Sequence, residues 1–187
     1  MFVLGIDPGL SRCGYGLLNQ TKEGVVAVKA GVITTDPSRA IPDRLAELRS
    51  ELKRLMSEQY LDVVVVERVF FQTNAKTAMF VGQASGVALL SASELHLEIA
   101  EYTSNEVKLA VAGYGGASKD QVKKMMMTLL KLEQVPNPPD VADALALAYC
   151  HLSASRIPQI AKSHISRGAP GTSSVKPVSG YVQEEKR

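Results

Sequence analysis

The 187-residue sequence lacks tryptophan and contains few cysteines and histidines. Its two cysteines, Cys13 and Cys150, lie far apart and match no metal-ligand spacing, which indicates a reducing compartment and no cysteine-based metal site. His96, His151 and His164 are scattered, so they form no metal-binding motif either. No apolar run approaches the ~20 residues of a membrane span, and the start "MFVLGIDPG" reaches a turn too early for a signal peptide. We therefore expect a cytoplasmic protein without a membrane partner.

The sequence also lacks a strong excess of charge of one sign, since its net charge is only +2. Residues 156–187 carry six Lys or Arg and two Glu, which leaves 15 basic and 17 acidic residues in 1–155. Residues 156–187 are rich in Ser, Pro and Gly and show no hydrophobic period, which predicts a flexible basic tail. Residues 1–155 are therefore expected to form the single folded domain, with any basic surface gathered locally.

Hydrophobic patterning places alternating strands and helices in this domain. Strands are expected at 2–7, 13–20, 24–35, 62–67 and 97–102, and helices at 42–57, 74–93, 104–112, 118–132 and 138–153. The unbroken valines of "DVVVVE" favour a central strand buried on both faces. The order predicts an α/β domain whose five-stranded mixed sheet is flanked by helices.

Two of the predicted strands end in a carboxylate. Asp7 ends the first strand and Glu67 ends the fourth. If these strands are parallel neighbours, both side chains emerge at the same edge of the sheet, where sites in open α/β sheets lie. A structural explanation stays open for each, because "DPG" is a common turn tripeptide and Glu67 could pair with Arg68.

A second pair of carboxylates opens the last predicted helix, in "NPPDVADALALAYCHL". Asp140 and Asp143 are three residues apart and share a helix face that continues as largely apolar. Asp140 is also the kind of first-turn acid that the helix dipole favours. Asp143 lies on a stripe expected to face the sheet, so it needs a partner.

A hard divalent cation would partner all four carboxylates together. Mg²⁺ prefers octahedral oxygen sites, and two such ions ~4 Å apart can activate water and stabilise a leaving oxygen in phosphodiester hydrolysis. The sequence therefore predicts a catalytic two-metal site with Mg²⁺, or Mn²⁺ in its place. Its ligands are Asp7, Glu67, Asp140 and Asp143.

Four stretches resemble the signature motifs of the RuvC family of Holliday-junction resolvases. They are "GIDPGLSRCGYG", "VVVERVFFQTN", "NEVKLAVAGYGGASKDQV" and "PPDVADALALA", in the family's order and with similar spacing. The resemblance implies a ribonuclease-H-like fold and a homodimer. It also implies a Mg²⁺-dependent endonuclease that nicks four-way junction DNA symmetrically in recombination and repair, alongside the RuvA–RuvB branch-migration complex. The family's metal-binding positions match the same four acids, and the fourth, Asp143, is the one that varies in kind.

The same motifs supply candidate DNA contacts. In "RVFFQTN" one of two adjacent aromatics should point out of an extended chain, and the resemblance favours Phe70 as a wedge between bases, with Phe71 in the core. The glycine-rich loop "GYGG" leads into a helix whose predicted cap is Ser118, with Gln121 completing the capping box. The basic candidates for phosphate contacts are Arg68, Lys108, Lys119, Lys123 and Lys124.

The helix predicted over 74–93 is apolar nearly all round, with Gly82 and Gly86 four residues apart. Such a helix is deeply buried or lies at an interface, and a two-fold dimer would match a nearly two-fold junction. Two other functions stay open. An actin-like or sugar-kinase-like ATPase also has an Asp-x-Gly turn after its first strand, and a non-catalytic junction-binding relative would share the fold.

Overall fold

The computed structural model describes residues 1–68, 75–134 and 136–155. Within them the chain forms five strands, β1 (Phe2–Asp7), β2 (Arg12–Gln20), β3 (Val25–Thr34), β4 (Val63–Glu67) and β5 (Glu98–Tyr102). Five helices accompany these strands, α1 (Ile41–Ser57), α2 (Ala75–Glu94), α3 (Ser104–Ala112), α4 (Lys119–Leu129) and α5 (Pro139–Ser155). The predicted order of elements is confirmed. No helix among the described residues is both long and apolar enough to cross a membrane.

The strands form one mixed sheet in the order β3-β2-β1-β4-β5. The first three strands are antiparallel neighbours, whereas β4 is parallel to both β1 and β5. In this register Ile6 lies beside Val66. The carboxyl ends of β1 and β4 therefore meet at one edge of the sheet, as the sequence analysis required.

The valines of β4 explain why this strand lies in the interior of the sheet, between β1 and β5. Val63 and Val65 pack on one face of the sheet with residues of α3, α4 and α5. Val64 and Val66 pack on the other face with residues of α1 and α2. All four are buried, so the strand that carries Glu67 is held from both sides by apolar contacts.

Helix α5 crosses the sheet very closely because β1 and β2 present glycines beneath it. A Cβ atom on Gly14 would lie 2.2 Å from the carbonyl oxygen of Asp140. A Cβ atom on Gly5 would lie 2.0 Å from the carbonyl oxygen of Ala144. Because Gly14 is the register partner of Asp7, this close approach brings the first turn of α5 to the end of β1.

Helix boundaries differ from the predicted ones near the end of the domain. Helix α4 ends at Leu129, although the sequence pattern predicts a helix to residue 132. Lys131 has a φ of 52°, a left-handed conformation that an α-helix cannot contain. The predicted division at residue 155 stays a prediction, since residues 156–187 lie outside the described part of the chain.

Candidate active site

Asp7 and Glu67 lie close enough for each carboxyl group to affect the pKa of the other. Two carboxylates at one partly buried site repel each other, so one of them tends to bind a proton. Burial, followed by the nearby Glu67 charge, raises the pKa of Asp7 from 3.8 to about 7. Burial also raises the pKa of Glu67, and the charge of Asp143 adds to the rise. The pair is thus short of positive charge, which is the condition that a cation site requires.

The first turn of α5 adds the other two predicted acids. The charges of Asp143 and Asp140 both raise the pKa of Asp7. Together with Glu67, these carboxylates therefore lie near the end of β1. Neither Asp140 nor Asp143 is fully exposed, since each side chain is about one-quarter accessible. The structure therefore brings the four sequence-predicted acids to one edge of the sheet.

Asp140 and Asp143, the two outer carboxylates of the site, each pair with a cation. Arg12 Nη2 donates a short hydrogen bond to Asp140 Oδ2, and Lys119 Nζ donates to Asp143 Oδ2 at 2.9 Å. The hydrogen bond to Asp143 raises the pKa of Lys119. Sequence reasoning predicted a basic role for Lys119 but missed Arg12. The only sequence signal for Arg12 is that a basic residue stands in the first signature stretch, five positions after Asp7.

The start of α4 positions Lys119. The predicted capping box is present, because Ser118 accepts from the Gln121 backbone and the Gln121 side chain accepts from the Ser118 backbone. Lys119 is consequently the first residue of a fixed helix end. Lys119 and Lys108 line a cavity of about 90 Å³ together with Glu67 and Asp143, so two predicted phosphate contacts lie beside the acids.

The other predicted DNA contacts do not line this cavity or lie outside the described residues. Arg68 does not pair with Glu67, because its Nη2 lies 3.5 Å from the Glu101 carbonyl oxygen. Lys123 pairs loosely with Asp120 on its own helix, at 3.9 Å, and Lys124 is exposed. Phe70 and Phe71 lie outside the described residues, so the wedge stays a prediction.

A buried arginine braces the loop that follows Asp7. Arg44 Nη2 donates to Ser11 Oγ at 2.6 Å, and Nε donates to Thr35 Oγ1 at 3.0 Å. Thr35 in turn donates to the Leu10 carbonyl oxygen at 2.6 Å. The loop between β1 and β2 is thus tied to α1, which fixes the chain between Asp7 and Arg12. Sequence reasoning missed Arg44 because it lies among the surface charges of an amphipathic helix.

The donor set fits a hard divalent cation, although the side chains would have to rearrange. All four groups are carboxylates, and oxygen ligands suit Mg²⁺ rather than a soft metal. Among the described residues, no three Asp, Glu, His or Cys groups already form a metal cluster. Asp140 and Asp143 point to Arg12 and Lys119 instead. A metal bound by Asp140 and Asp143 would therefore compete with these two ion pairs.

A mixed sheet of this order, with helices on both faces, is a ribonuclease-H-like fold, and here acids lie at the ends of two adjacent strands. Residues 3–151 match the family model described as crossover junction endodeoxyribonuclease RuvC. A protein of that name from Alkaliphilus oremlandii is 50% identical over 151 residues, which cover 81% of this chain and 92% of the relative. The chain belongs to the RuvC family, whose members are crossover junction endodeoxyribonucleases and hydrolyse phosphodiester bonds.

Solved structures agree with this assignment. Thermus thermophilus RuvC in complex with a Holliday junction substrate superposes with a TM-score of 0.78 at 31% identity, covering 83% of this chain and 95% of that one. The yeast mitochondrial Holliday junction resolvase Ydc2 has a TM-score of 0.59 at 16% identity, covering 81% and 78%, and supports the fold alone. The predicted fold class and family are confirmed.

Proposed function

We propose that this chain is a Holliday-junction resolvase that cuts four-way DNA with Asp7, Glu67, Asp140 and Asp143 as its metal ligands. The observation that carries the proposal is the meeting of β1, β4 and the start of α5 at one edge of the sheet, which gathers four carboxylates. Family membership supports the junction as substrate. It also supports RuvA and RuvB as partners, and recombination and repair as the context.

The chain's own residues have separable tasks in this proposal. Asp7 and Glu67 are fixed by buried strands, so they set the position of the site. Two Mg²⁺ ions, or Mn²⁺ in their place, would supply a nucleophilic water and stabilise the leaving oxygen. Phosphates of the junction arms are bound by basic side chains, and such contacts orient the DNA without reading its sequence. These side chains are Lys108, Lys119, Arg68, Lys123 and Lys124.

Cleavage of a synthetic four-way junction tests the proposal. We expect paired nicks in strands of like polarity with Mg²⁺, none with EDTA, and little cutting of a linear duplex of the same sequence. Tight junction binding without cutting in Mg²⁺ or Mn²⁺ would instead support the non-catalytic relative. ATP hydrolysis without DNA cleavage would support the ATPase alternative.

The proposed homodimer rests on the outer face of α2. Ala84, Ala88 and Ala92 bury one side of this helix. The other side carries Met79 and Leu90, which are 62% and 50% exposed. Gly82 and Gly86 lie between them on the same face and have no neighbouring atom within 4 Å of an added Cβ. An apolar stripe with small residues at its centre lets a second helix approach closely.

Leu90→Glu is expected to convert the dimer to a monomer without unfolding it. The side chain is half exposed in the single chain, so a charge costs little there, whereas a charge within an apolar interface lacks a partner. Sedimentation velocity measures the oligomeric state. Leu109→Glu is the matched control, since Leu109 is a similarly exposed leucine on α3. A Leu90→Glu protein that still sediments as a dimer would place the interface elsewhere.

Phe70→Ala is expected to slow cleavage of an intact junction while folding and dimerisation persist. An inserted aromatic offsets part of the cost of unstacking the crossover, which is a few kcal/mol per step. The defect should shrink on a junction with unpaired bases at the crossover, because that substrate is already open. If Phe70 belongs to the core instead, the change costs ~3–5 kcal/mol of stability and both junctions are affected equally. Thermal unfolding and cleavage of the two junctions distinguish these results.

A further inference from the structure

The two outer carboxylates of the site are each bound to a cation from a different element. Arg12 begins β2 and holds Asp140, and Lys119 begins α4 and holds Asp143. Asp140 and Asp143 are themselves on α5, so the two cations approach the helix start from separate parts of the chain. Arg12 is half exposed and Lys119 is mostly exposed, whereas both carboxylates are mainly buried.

A divalent cation and these side chains compete for the same two carboxylate groups. Oδ2 of Asp140 accepts from Arg12, and Oδ2 of Asp143 accepts from Lys119. A divalent ion bound to these carboxylates would lie within a few ångströms of the two cations, and this repulsion is strong where water is partly excluded. We therefore expect Arg12 and Lys119 to move away as a metal binds, which their exposed side chains allow.

We propose that Arg12 and Lys119 are exchangeable counter-ions, which hold Asp140 and Asp143 until metal binds and are then released to bind phosphates of the DNA. This inference rests on the proposed function. Metal and junction binding become cooperative, because the metal frees two positive charges at the DNA-facing edge. By thermodynamic reciprocity the junction must also raise the affinity for metal by the same factor. Arg12 thereby gains a role in metal loading and DNA binding.

Two simpler roles predict different behaviour. If Arg12 and Lys119 only hold α5 in place, removing them disorders Asp140 and Asp143 and weakens metal binding. If they contact DNA permanently, removing them weakens junction binding equally with and without metal, and metal affinity in the absence of DNA does not change. Of these three roles, only the exchange of counter-ions predicts that loss of a cation tightens metal binding when DNA is absent.

The decisive measurement is titration of the DNA-free dimer with Mn²⁺ alone, in which the signal of the free ion in electron paramagnetic resonance reports binding. Arg12→Gln and Lys119→Gln should each lower the Kd about two- to fivefold, the size expected when a partly exposed ion pair need not be broken. Arg12→Lys keeps the charge and should restore weaker, wild-type-like binding. Arg39→Gln is the matched control, since Arg39 is 48% exposed, Arg12 is 49% exposed, and Arg39 pairs with Glu47 away from the site.

Junction affinity provides the second readout. Binding is measured in EDTA and in Ca²⁺, with a gel to confirm that the DNA stays intact. The gain in affinity that Ca²⁺ produces should be smaller in the Arg12→Gln, Lys119→Gln double variant than in the wild type. Circular dichroism and thermal unfolding establish that each variant is folded before it is compared.

The outcomes separate this inference from the proposed function. If Asp7→Asn binds Mn²⁺ as tightly as the wild type, the proposed metal site is wrong, and the inference falls with it. If Asp7→Asn loses binding but Arg12→Gln and Lys119→Gln bind Mn²⁺ with unchanged or lower affinity, the inference alone is overturned. An equal Ca²⁺ gain in the wild type and the double variant also overturns it.

Discussion

Asp7→Asn is expected to abolish junction cleavage while junction binding persists. The substitution replaces a carboxylate ligand with a weaker amide at the rigid end of β1, and Glu67→Gln does the same at the end of β4. A bound metal contributes several kcal/mol to stabilising the transition state, so we expect at least about a thousandfold loss of rate. Binding should hold or improve, because one negative charge near the phosphates is removed. Cleavage and gel-shift assays on one synthetic junction measure both quantities.

The same variant should be more stable than the wild type when metal is absent. The folded protein raises the pKa of Asp7 from 3.8 to about 7, so it binds a proton that the unfolded chain releases. The stability of the wild type therefore falls as the pH rises through this window and stays lowered above it. Asn cannot ionise and avoids that loss. One pKa unit corresponds to about 1.4 kcal/mol, which places the advantage of Asp7→Asn above pH 7 at roughly 2–4 kcal/mol.

Thermal unfolding in EDTA at a series of pH values checks this expectation. The difference in Tm between Asp7→Asn and the wild type should be largest at pH 8 and shrink as the pH falls from 7 towards 4. Added Mg²⁺ should raise the Tm of the wild type and leave the Tm of Asp7→Asn nearly unchanged. If the wild type is more stable than the variant in EDTA at pH 8, repulsion among the carboxylates does not destabilise the folded protein. If Asp7→Asn cleaves junctions at a near-normal rate, Asp7 is not a metal ligand.

Gly14→Ala is expected to reduce cleavage by about a hundredfold, although Gly14 has no functional group. Its added Cβ would lie 2.2 Å from the backbone oxygen of Asp140, so the start of α5 must move away from β2 and from the neighbouring Asp7. A displacement of about 1 Å in a catalytic group can cost about a hundredfold in rate. Overpacking also lowers stability by roughly 1–3 kcal/mol. Cleavage rates measured well below the Tm of the variant separate the two effects.

Gly31→Ala provides the control for overpacking as such. It places a Cβ on the same sheet, where the nearest atoms belong to the end of the Tyr15 ring rather than to backbone. A ring can move aside, so a modest loss of Tm with normal cleavage is expected. If Gly14→Ala and Gly31→Ala cleave junctions equally well, the close packing of α5 does not position the site.

Much of the fold could be predicted because its signals are local. Four consecutive valines require burial on both faces, and the structure places them in β4, an interior strand covered by helices on both faces. The capping box at Ser118 was readable from residues three apart, and it does begin α4. The end of α4 was predicted three residues too late, because the pattern of apolar residues does not reveal the left-handed conformation of Lys131.

The sequence by itself determined the order of strands and helices, the family and the four acids expected at the site. Each of these depends on residue types and on their spacing within a short stretch, and both can be read directly from the sequence. Only the tertiary structure decided which charges meet. Arg12 pairs with Asp140 across 128 positions of sequence, and Arg44 supports the loop after Asp7 from another element. Such contacts, and the raised pKa of Asp7, depend on distances and burial that exist only after the chain has folded.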